Sequence, residues 1–437
     1  MSSKVWNLVR LAECATFQEG YVNPSQRDPS YFGDEVKWLR ATDLNNGFVF
    51  ETGRRLSRKG FESAGKSATL FAPGTLAISK SGTIGRVGIL QDYMCGNRAV
   101  INIKPNQSCD SRFIFYTLLL RRPEIETLAE GSVQKNLYVS TLSNLKIELP
   151  PLEVQKTIAA ILGSLDDRIA LLRETNATLE AIAQTLFKSW FVDFDPVRAK
   201  MEGRILDGMN EATAALFPND LEHSELGLVP TGWRVLPIGD TVEAAGGATP
   251  DTKNSAFWEP AIHCWTTPKD LSGIAAPILL ETERKLSDMG LGKISSGLLP
   301  VGSLLLSSRA PIGYLAITQV PLAINQGYIA LPPGGLLPPL YLLYWCRQNM
   351  ETIKGRANGS TFMEISKRAF RPIPALVPPP AVIQAFTDVA QALFDRLAEN
   401  EKLAKTLTLL RNGLLPRLIS GQLRISEVKA QIEALAA

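Results

Sequence analysis

The stretch Pro73-Gly-Thr-Leu-Ala-Ile-Ser79 returns later in the chain as Val301-Gly-Ser-Leu-Leu-Leu-Ser307. A glycine followed by a short apolar run is typical of a turn that leads into a buried β-strand. The similarity extends on both sides with an offset of about 228 positions. Matched pairs are Trp38 and Trp265, Asp43 and Asp270, Arg54 and Arg284, Leu56 and Leu286, Ser57 and Ser287, Gly60 and Gly290, Ile84-Gly85 and Ile312-Gly313, Asn97 and Asn325, and Pro150-Pro151 and Pro378-Pro379. A duplication of this length predicts two domains built on one scaffold.

The composition is that of an ordinary globular protein. The 437 residues are 45% hydrophobic and 20% charged, and such a length predicts about two to four folded units. A formal net charge of +3 is too small to indicate nucleic acid by itself, so phosphate contacts require local basic clusters or a partner. The odd number of cysteines and the absence of a Cys-x-x-Cys pair argue against a disulfide framework and a zinc site. No apolar run approaches the ~18 residues of a membrane span, and we expect a cytoplasmic protein.

Five segments are predicted along the chain. They are a mixed α/β domain at 1–150, a long helix at 151–192, a connector at 193–230, a second mixed domain at 231–378, and a second long helix with the C-terminal tail at 379–425. Each mixed domain ends at a proline pair, which is favourable just before a helix and unfavourable inside one. The order predicts an α+β fold in which two long helices, paired as an antiparallel coiled coil, separate two duplicated mixed domains.

Both predicted helices carry apolar residues at alternating steps of four and three, the spacing of a coiled-coil seam. The seam positions of the first are Ile158, Leu162, Leu165, Ile169, Leu172, Asn176, Leu179, Ala183, Leu186 and Trp190. Those of the second are Phe386, Ala390, Leu393, Leu397, Asn400, Ala404, Leu407, Arg411, Leu414 and Leu418. Antiparallel pairing would bring Asn176 onto Asn400, where the two amides fix the register. In the same register Leu165 fits poorly against Arg411.

The alternative to this coiled coil is that each helix packs separately on its own mixed domain. The antiparallel pairing is favoured because the duplication supplies a twofold relation. It also places large residues on small ones in three of four layers. The four layers are Leu186 on Ala390, Ala183 on Leu393, Leu172 on Ala404, and Trp190 on Phe386.

Several segments resemble the specificity subunit of type I restriction-modification systems, and the resemblance covers nearly the whole chain. The segments are Ser189-Trp-Phe-Val-Asp-Phe-Asp-Pro-Val-Arg-Ala-Lys200, Gly227-Leu-Val-Pro-Thr-Gly-Trp233, Gly247-Ala-Thr-Pro250, Trp265 to Asp270, and Ala323-Ile-Asn-Gln326. The resemblance implies a non-catalytic chain whose two mixed domains are target-recognition domains, each for one half of a bipartite double-stranded DNA site. Because the two domains differ, the site should be asymmetric. The helices are implied to set the half-site spacing.

The resemblance also implies partners that carry the cofactors. Two copies of an adenine methyltransferase (modification) subunit would dock on the helices, bind S-adenosylmethionine and flip the target adenine out of the duplex. A restriction/translocase subunit would use ATP and Mg²⁺. This chain itself is expected to bind no cofactor, no metal and no membrane. Phe194-Asp-Pro-Val197 lacks the second proline and the aromatic residue of an adenine methyltransferase motif, so methyl transfer belongs to the partner.

Polar residues that differ between the copies, beside positions that agree, are the candidates for base contact. In the first domain they are Lys80, Ser81, Arg98, Gln134, Lys135 and Asn136, and in the second they are Ser308, Arg309, Gln326 and Thr361. Arg, Lys, Asn and Gln form bidentate pairs with guanine or adenine edges. Basic residues predicted to contact phosphates are Arg54, Arg55, Arg58 and Lys59, with Lys367, Arg368 and Arg371 in the second copy. The alternative is that the first group lies on surface loops whose sequences have drifted apart, and that the basic residues only keep the surface solvated.

Two other functions compete with DNA recognition. Gly60-Phe-Glu-Ser-Ala-Gly-Lys-Ser67 matches a phosphate-loop pattern, but no buried strand precedes it and the second copy lacks the motif. Nucleotide binding through Lys66 is therefore the weakest hypothesis. The two histidines, His223 and His263, are too few for a histidine metal cluster. The other alternative is a duplicated coiled-coil adaptor for proteins, which the nearly neutral charge slightly favours.

Overall fold

The computed structural model describes residues 6–131, 135–309, 311–359 and 363–423. It divides into two compact units. The first comprises residues 1–169 and 406–437, and the second comprises residues 170–405. Each unit thus contains one mixed domain together with parts of both long helices.

The first mixed domain is built from three sheets among its described residues. Its strands are β1 (Asn7–Arg10), β2 (Ala15–Glu19), β3 (Phe32–Leu39), β4 (Gly47–Val49), β5 (Arg55–Leu56), β6 (Leu76–Ser79), β7 (Val87–Leu90), β8 (Met94–Gly96), β9 (Val100–Pro105) and β10 (Lys146–Leu149). The sheet orders are β2-β9-β6-β7-β4, β5-β3-β8 and β1-β10. The helices are α1 (Leu11–Cys14), α2 (Arg58–Glu62), α3 (Ser111–Leu120), α4 (Arg122–Thr127) and α5 (Val139–Ser143), followed by the long α6 (Leu152–Phe191).

The connector and the second mixed domain follow α6. The strands are β11 (Leu221–Ser224), β12 (Gly227–Pro230), β13 (Arg234–Pro237), β14 (His263–Thr266), β15 (Ile278–Leu279), β16 (Arg284–Leu286), β17 (Leu304–Ser307), β18 (Leu315–Thr318), β19 (Leu322–Ile324), β20 (Tyr328–Leu331) and β21 (Pro374–Val377). The helices are α7 (Asp195–Met201), α8 (Glu211–Ala215), α9 (Ile238–Thr241), α10 (Asp288–Leu291), α11 (Pro339–Gln348), α12 (Met350–Gly355), α13 (Lys367–Phe370) and the long α14 (Pro380–Ile419). The sheet orders are β15-β18-β17-β20, β16-β14-β19, β13-β21 and β11-β12.

The predicted duplication is confirmed by the topology. The repeated stretches quoted first form β6 and β17, and every residue of both strands is buried. β6 pairs antiparallel with β7, and β17 pairs antiparallel with β18. The parallel pair β3-β8 likewise returns as β14-β19. One difference lies at the sheet edge, where the position of β2 is represented in the second domain by an isolated bridge between Ala245 and Ala330.

The repeated glycines Gly60 and Gly290 lie where a short helix packs against the backbone of another segment. A Cβ atom on Gly60 would overlap the carbonyl oxygen of Tyr31, and one on Gly290 would overlap that of Phe257. The hydroxyl oxygens of Ser57 and Ser287 cap these helices by accepting from the glycine N–H groups at 3.1 Å. Gly60 is therefore a packing residue inside α2, whereas the first glycine of a phosphate loop lies in an open turn after a strand.

In the second unit, α6 and α14 pair antiparallel in the predicted register. Asn400 Nδ2 donates to Asn176 Oδ1 at 2.9 Å, and Trp190 packs edge-on against Phe386 with ring centroids 6.3 Å apart. Asn176 Nδ2 also donates to Glu401 Oε1 at 2.8 Å. The two asparagines are almost fully buried, so each amide satisfies a group that would otherwise be costly to bury.

The alternative, in which each helix packs separately on its own mixed domain, does not describe α6 in this unit, because α6 contacts both α14 and the second mixed domain. Phe187 of α6 contacts Tyr341 of α11, with ring centroids 5.0 Å apart, and it also contacts Phe386 of α14 at 5.7 Å. The C-terminal part of α6 therefore packs on the second mixed domain, not on the first. Burial of these large rings accounts for much of the core of this unit.

In the first unit, Asp166 provides a partner for Arg411 in the seam layer where Leu165 was predicted to fit poorly against Arg411. The Arg411 guanidinium donates from NH1 to Asp166 Oδ1 at 2.5 Å, and the Tyr116 hydroxyl of α3 donates to Asp166 Oδ2 at 2.6 Å. The predicted neighbour Leu165 is buried in the core, together with Leu414 and Leu418 of α14. Arg411 is thus accommodated as a half-buried ion pair at the edge of the seam.

Across the parts of the chain that the structure describes, no helix combines the length and the apolar character that a membrane crossing requires.

Candidate nucleic-acid interface

Three loops of the first mixed domain meet at Lys80, the residue that follows β6. The Lys80 backbone N–H donates to the carbonyl oxygen of Ala99 at 2.8 Å, and the Lys80 carbonyl oxygen accepts from the Leu137 N–H at 2.9 Å. These bonds join residues 80–86, 97–99 and 135–138, which we call the first three-loop cluster. The cluster brings together the predicted residues Lys80, Ser81, Arg98, Lys135 and Asn136.

The second mixed domain repeats this arrangement at matching positions. The Ser308 N–H donates to the carbonyl oxygen of Gly327 at 2.8 Å, and the Ser308 carbonyl oxygen accepts from the Ile365 N–H at 2.9 Å. The second three-loop cluster therefore comprises residues 308–309, 311–314, 325–327 and 363–366. It contains the predicted residues Ser308, Arg309 and Gln326, and Lys367 and Arg368 follow it directly in α13.

A serine at the end of the central strand fixes the first loop of each cluster. Ser79 Oγ accepts from the Arg86 N–H at 2.9 Å, and Ser307 Oγ accepts from the Tyr314 N–H at 2.8 Å. Each loop then passes through a glycine with positive φ, 79° at Gly85 and 110° at Gly313. Because only glycine adopts this conformation without strain, the Ile-Gly pair repeats in both copies. The loop backbones are therefore shaped independently of the polar side chains between these points.

The first cluster carries more cationic side chains than the second. Arg98 and Lys135 are exposed, whereas Ser81 and Asn136 are half-buried. The Lys80 ammonium is largely covered: its Nζ lies 2.7 Å from Glu19 Oε1 and 5.9 Å from the centroid of the Tyr138 ring. Lys80 is thus held by an ion pair and a cation–π contact, and it can contact DNA only if it leaves Glu19.

The second cluster presents a different set of groups. Gln326 is exposed, and its Oε1 accepts from Thr249 Oγ1 at 2.6 Å. The Arg309 guanidinium lies 3.9 Å from Glu364 Oε2 in a half-exposed ion pair. Lys367 and Arg368 are exposed. Ser308 is 2% exposed, so its role in this structure is the pair of backbone hydrogen bonds that joins the loops, and its hydroxyl has no surface to offer a base.

The predicted residues Arg54 and Arg55 lie outside the three-loop cluster, in and beside β5 of the other sheet. The Arg54 guanidinium stacks over the Phe32 ring at 3.9 Å from its centroid and also hydrogen-bonds Gln26. Arg55 NH2 lies 2.8 Å from Glu51 Oε2, and this carboxylate raises the pKa of Arg55 above its ordinary value. Both guanidinium groups are thus already engaged. The match between Arg54 and Arg284 is confirmed, because each guanidinium stacks over an aromatic ring, Phe32 for Arg54 and Trp258 for Arg284.

Two residues that build the clusters were missed at the level of sequence, namely Glu19 and Thr249. Glu19 is far from Lys80 along the chain, and no motif marks it. Thr249 lies in the family segment Gly247-Ala-Thr-Pro250, which was a signal for its neighbourhood but not for its contact with Gln326. The predicted contacts of Gln134 and Thr361 fall outside the described residues.

Comparison with known proteins gives one consistent result. The family model of the type I restriction modification DNA specificity domain matches residues 3–181 and 230–406. The chain is similar to the MjaIX type I restriction enzyme specificity subunit of Methanocaldococcus jannaschii, with 24% identity over 436 residues that cover 97% of this chain and 95% of that protein. It is also similar to the HindI type I restriction enzyme specificity subunit of Haemophilus influenzae, with 27% identity over 381 residues covering 76% and 82%.

A solved structure agrees in fold. The type I restriction-modification system S subunit from M. genitalium superposes with a TM-score of 0.58 at 16% identity, covering 96% of this chain and 97% of that one. The chain therefore belongs to the type I restriction-modification DNA specificity family, and its function is recognition of DNA sequence as a specificity subunit. The adaptor alternative is not favoured, because the family match takes in both mixed domains.

Proposed function

We propose that each mixed domain recognises one half of an asymmetric bipartite DNA site through its three-loop cluster. One observation carries this proposal: the two clusters share backbone hydrogen bonds at Lys80 and Ser308 but differ in the polar side chains around them. A common backbone gives both domains the same approach to the duplex. Different side chains then give the two half-sites different base sequences, since base edges and not phosphates carry sequence information.

The residues divide by the surface that they offer. Among the described residues, base contacts are assigned to exposed or half-buried residues of the clusters. Phosphate contacts are assigned to basic residues that follow the second cluster in α13 or lie at β5 of the first domain. The proposed base contacts are Ser81, Arg98, Lys135 and Asn136 in the first domain, and Arg309 and Gln326 in the second. Gln134 and Thr361, which lie outside the described residues, are added to this set from the sequence alone. The proposed phosphate contacts are Arg54, Arg55, Lys367 and Arg368. Lys80 joins the first set when DNA displaces Glu19.

The chemistry in this proposal belongs to partner subunits. The chain assembles with two copies of an adenine methyltransferase subunit, which bind S-adenosylmethionine, and with a restriction subunit that uses ATP and Mg²⁺. This chain recognises the DNA site and supplies no catalytic group. The assembly acts in the cytoplasm on cellular DNA. The relatives support the partner classes, since they are specificity subunits of type I restriction enzymes.

The decisive experiment maps N6-methyladenine in a host that carries this chain with its methyltransferase. A host lacking only this chain is the control, and a single asymmetric bipartite motif should disappear in it. Exchange of residues 1–150 for the corresponding domain of another family member should then change one half of the motif only. Exchange of residues 231–378 should change the other half. A change in both halves from either exchange would contradict independent recognition.

DNA binding in solution distinguishes a DNA-recognition subunit from an adaptor that binds only proteins. Affinity of the assembled complex for a duplex that carries the motif should fall steeply with salt, because phosphate contacts release counterions. An adaptor would bind this duplex no better than an unrelated one.

A further inference from the structure

The middle loops of the two clusters form the same tight turn. In the first, Asn97 Oδ1 accepts from the Ala99 N–H at 3.0 Å, and in the second, Asn325 Oδ1 accepts from the Gly327 N–H at 2.9 Å. Each asparagine side chain thus closes a turn over the residue that follows it. The residue at the tip is Arg98 in the first domain and Gln326 in the second.

Both turns are anchored to neighbouring strands by their backbone. The Asn97 N–H donates to the Leu39 carbonyl oxygen at 2.9 Å, and the Asn325 N–H donates to that of Thr266 at 3.0 Å. A glycine lies against each turn, and a Cβ atom there would overlap the carbonyl oxygen of Asn97 in the case of Gly20, or of Ile324 in the case of Gly247. None of these backbone anchors involves the tip side chain, so the two turns hold different side chains at the same place.

The tip side chains are both exposed and chemically suited to different bases. Arg98 forms no ion pair with any residue that the structure describes, so its planar fork of donors is available. Gln326 is exposed, and Thr249 donates to its Oε1. This bond orients the amide while leaving the Nε2 donors and the second lone pair of Oε1 available.

We propose that the turn tip specifies one base at the equivalent place in each half-site, guanine for Arg98 and adenine for Gln326. An arginine fork donates to O6 and N7 of guanine, which both accept. A glutamine amide donates to N7 of adenine and accepts from its N6 amino group. This assignment rests on the proposed function of the three-loop clusters and adds to it the residue and the base.

The test exchanges the two tips in the assembled complex. The variants are Arg98→Gln and Gln326→Arg, each expressed with the native methyltransferase, and the methylated motif is mapped in the host genome. Arg98→Gln should change one G·C pair of the first half-site to A·T, and Gln326→Arg should change one A·T pair of the second to G·C. Arg234→Gln is the matched control, because Arg234 is exposed on β13 outside both clusters, and its motif should equal that of the native chain.

If a variant methylates no site, its base preference can still be measured by competitive DNA binding. Duplexes that differ at single half-site positions are offered to the complex, whose folding is checked by thermal unfolding. The native chain should prefer the assigned base by about 10-fold to 100-fold, and the variant should prefer the exchanged base. An unchanged preference, or an equal loss for all four bases, would overturn the assignment.

The same experiments distinguish the tip assignment from the proposed function of the three-loop clusters. If domain exchange alters one half-site but both tip variants leave the motif unchanged, the tip assignment is wrong and the proposed function stands. If domain exchange also leaves the motif unchanged, the proposed function itself fails.

Discussion

Asn400 donates from Nδ2 to Oδ1 of Asn176 at 2.9 Å, and the two side chains are 2% and 3% exposed. The other seam positions are apolar except for Arg411, and they include the buried Leu172 and Leu397. Any shift of one helix along the other would leave both amides buried without partners. The pair therefore favours one register over its neighbours by the cost of an unsatisfied polar group.

Replacing one asparagine should cost more than replacing both. Asn176→Leu leaves the Asn400 amide without its acceptor and should lower the free energy of unfolding by about 1–3 kcal/mol. The double variant with Asn400→Leu should recover most of this loss, because an apolar pair replaces a polar one. Urea denaturation of the native chain, both single variants and the double variant forms a thermodynamic cycle. Additive single effects would show that the two amides are not coupled.

Alkaline pH should destabilise the second unit through Tyr344. Burial raises the pKa of Tyr344 to about 12, whereas an unfolded tyrosine titrates near ~10. Between these values the folded protein keeps the proton that the unfolded chain releases. The stabilising contribution is therefore complete below pH ~10 and is lost as pH rises towards ~12, by up to about 1.4 kcal/mol per pH unit.

Tyr344→Phe removes this titration. Denaturant unfolding from pH 8 to pH 11 should show a shallower loss of stability in the variant than in the native chain, with both normalised at pH 8. Parallel curves would assign the alkaline loss to other buried groups, such as Tyr341, whose pKa is also raised by burial.

Glu19 should restrain Lys80 in the free protein. Glu19→Gln removes the carboxylate 2.7 Å from Lys80 Nζ, so the released ammonium should contribute to DNA binding at low salt. Affinity for the motif duplex should rise by about 2-fold to 5-fold, because the native complex gives up an ion pair worth about 0.2–1 kcal/mol when Lys80 leaves Glu19. Glu13→Gln is the matched control, because Glu13 pairs with the exposed Arg10 outside the cluster. Equal affinities of the two variants would show that Lys80 does not reach DNA.

Gly247 should tolerate no side chain. In Gly247→Ala the new methyl group would overlap the Ile324 carbonyl oxygen, and backbone cannot move aside as a side chain can. We expect a loss of about 3 kcal/mol or more in the free energy of unfolding. Gly355→Ala is the control, since a Cβ atom there has no neighbour within 4 Å, and it should be nearly neutral. A stable Gly247→Ala variant would mean that the turn around Gln326 is adjustable.

The parts of the fold that the sequence predicted are those encoded by repetition and period. The seam spacing predicted that Asn176 lies against Asn400, and the offset between the copies matched Asn97 with Asn325. Contacts between segments distant in sequence were not predictable. Asp166 lies one residue beyond the seam and completes the environment of Arg411, and no local pattern specifies that pair.

In the candidate site, too, the sequence predicted some features and not others. Comparing the copies located the loops around Lys80 and Ser308, because the residues that anchor these loops agree. It did not indicate which side chains are available, since that depends on partners such as Glu19 and on the burial of Ser308. Identical positions in a duplicated scaffold thus predict location, whereas exposure and pairing decide the chemistry.

The turns at Arg98 and Gln326 have a consequence for how such chains diversify. Main-chain hydrogen bonds, an asparagine and a glycine hold each turn, so a substitution at the tip removes none of these anchors. Substitutions at the tip are therefore expected to cost little stability, and at Gln326 they remove the hydrogen bond with Thr249. Under the proposed tip assignment, one codon change at the tip would give a new target base while the fold is kept.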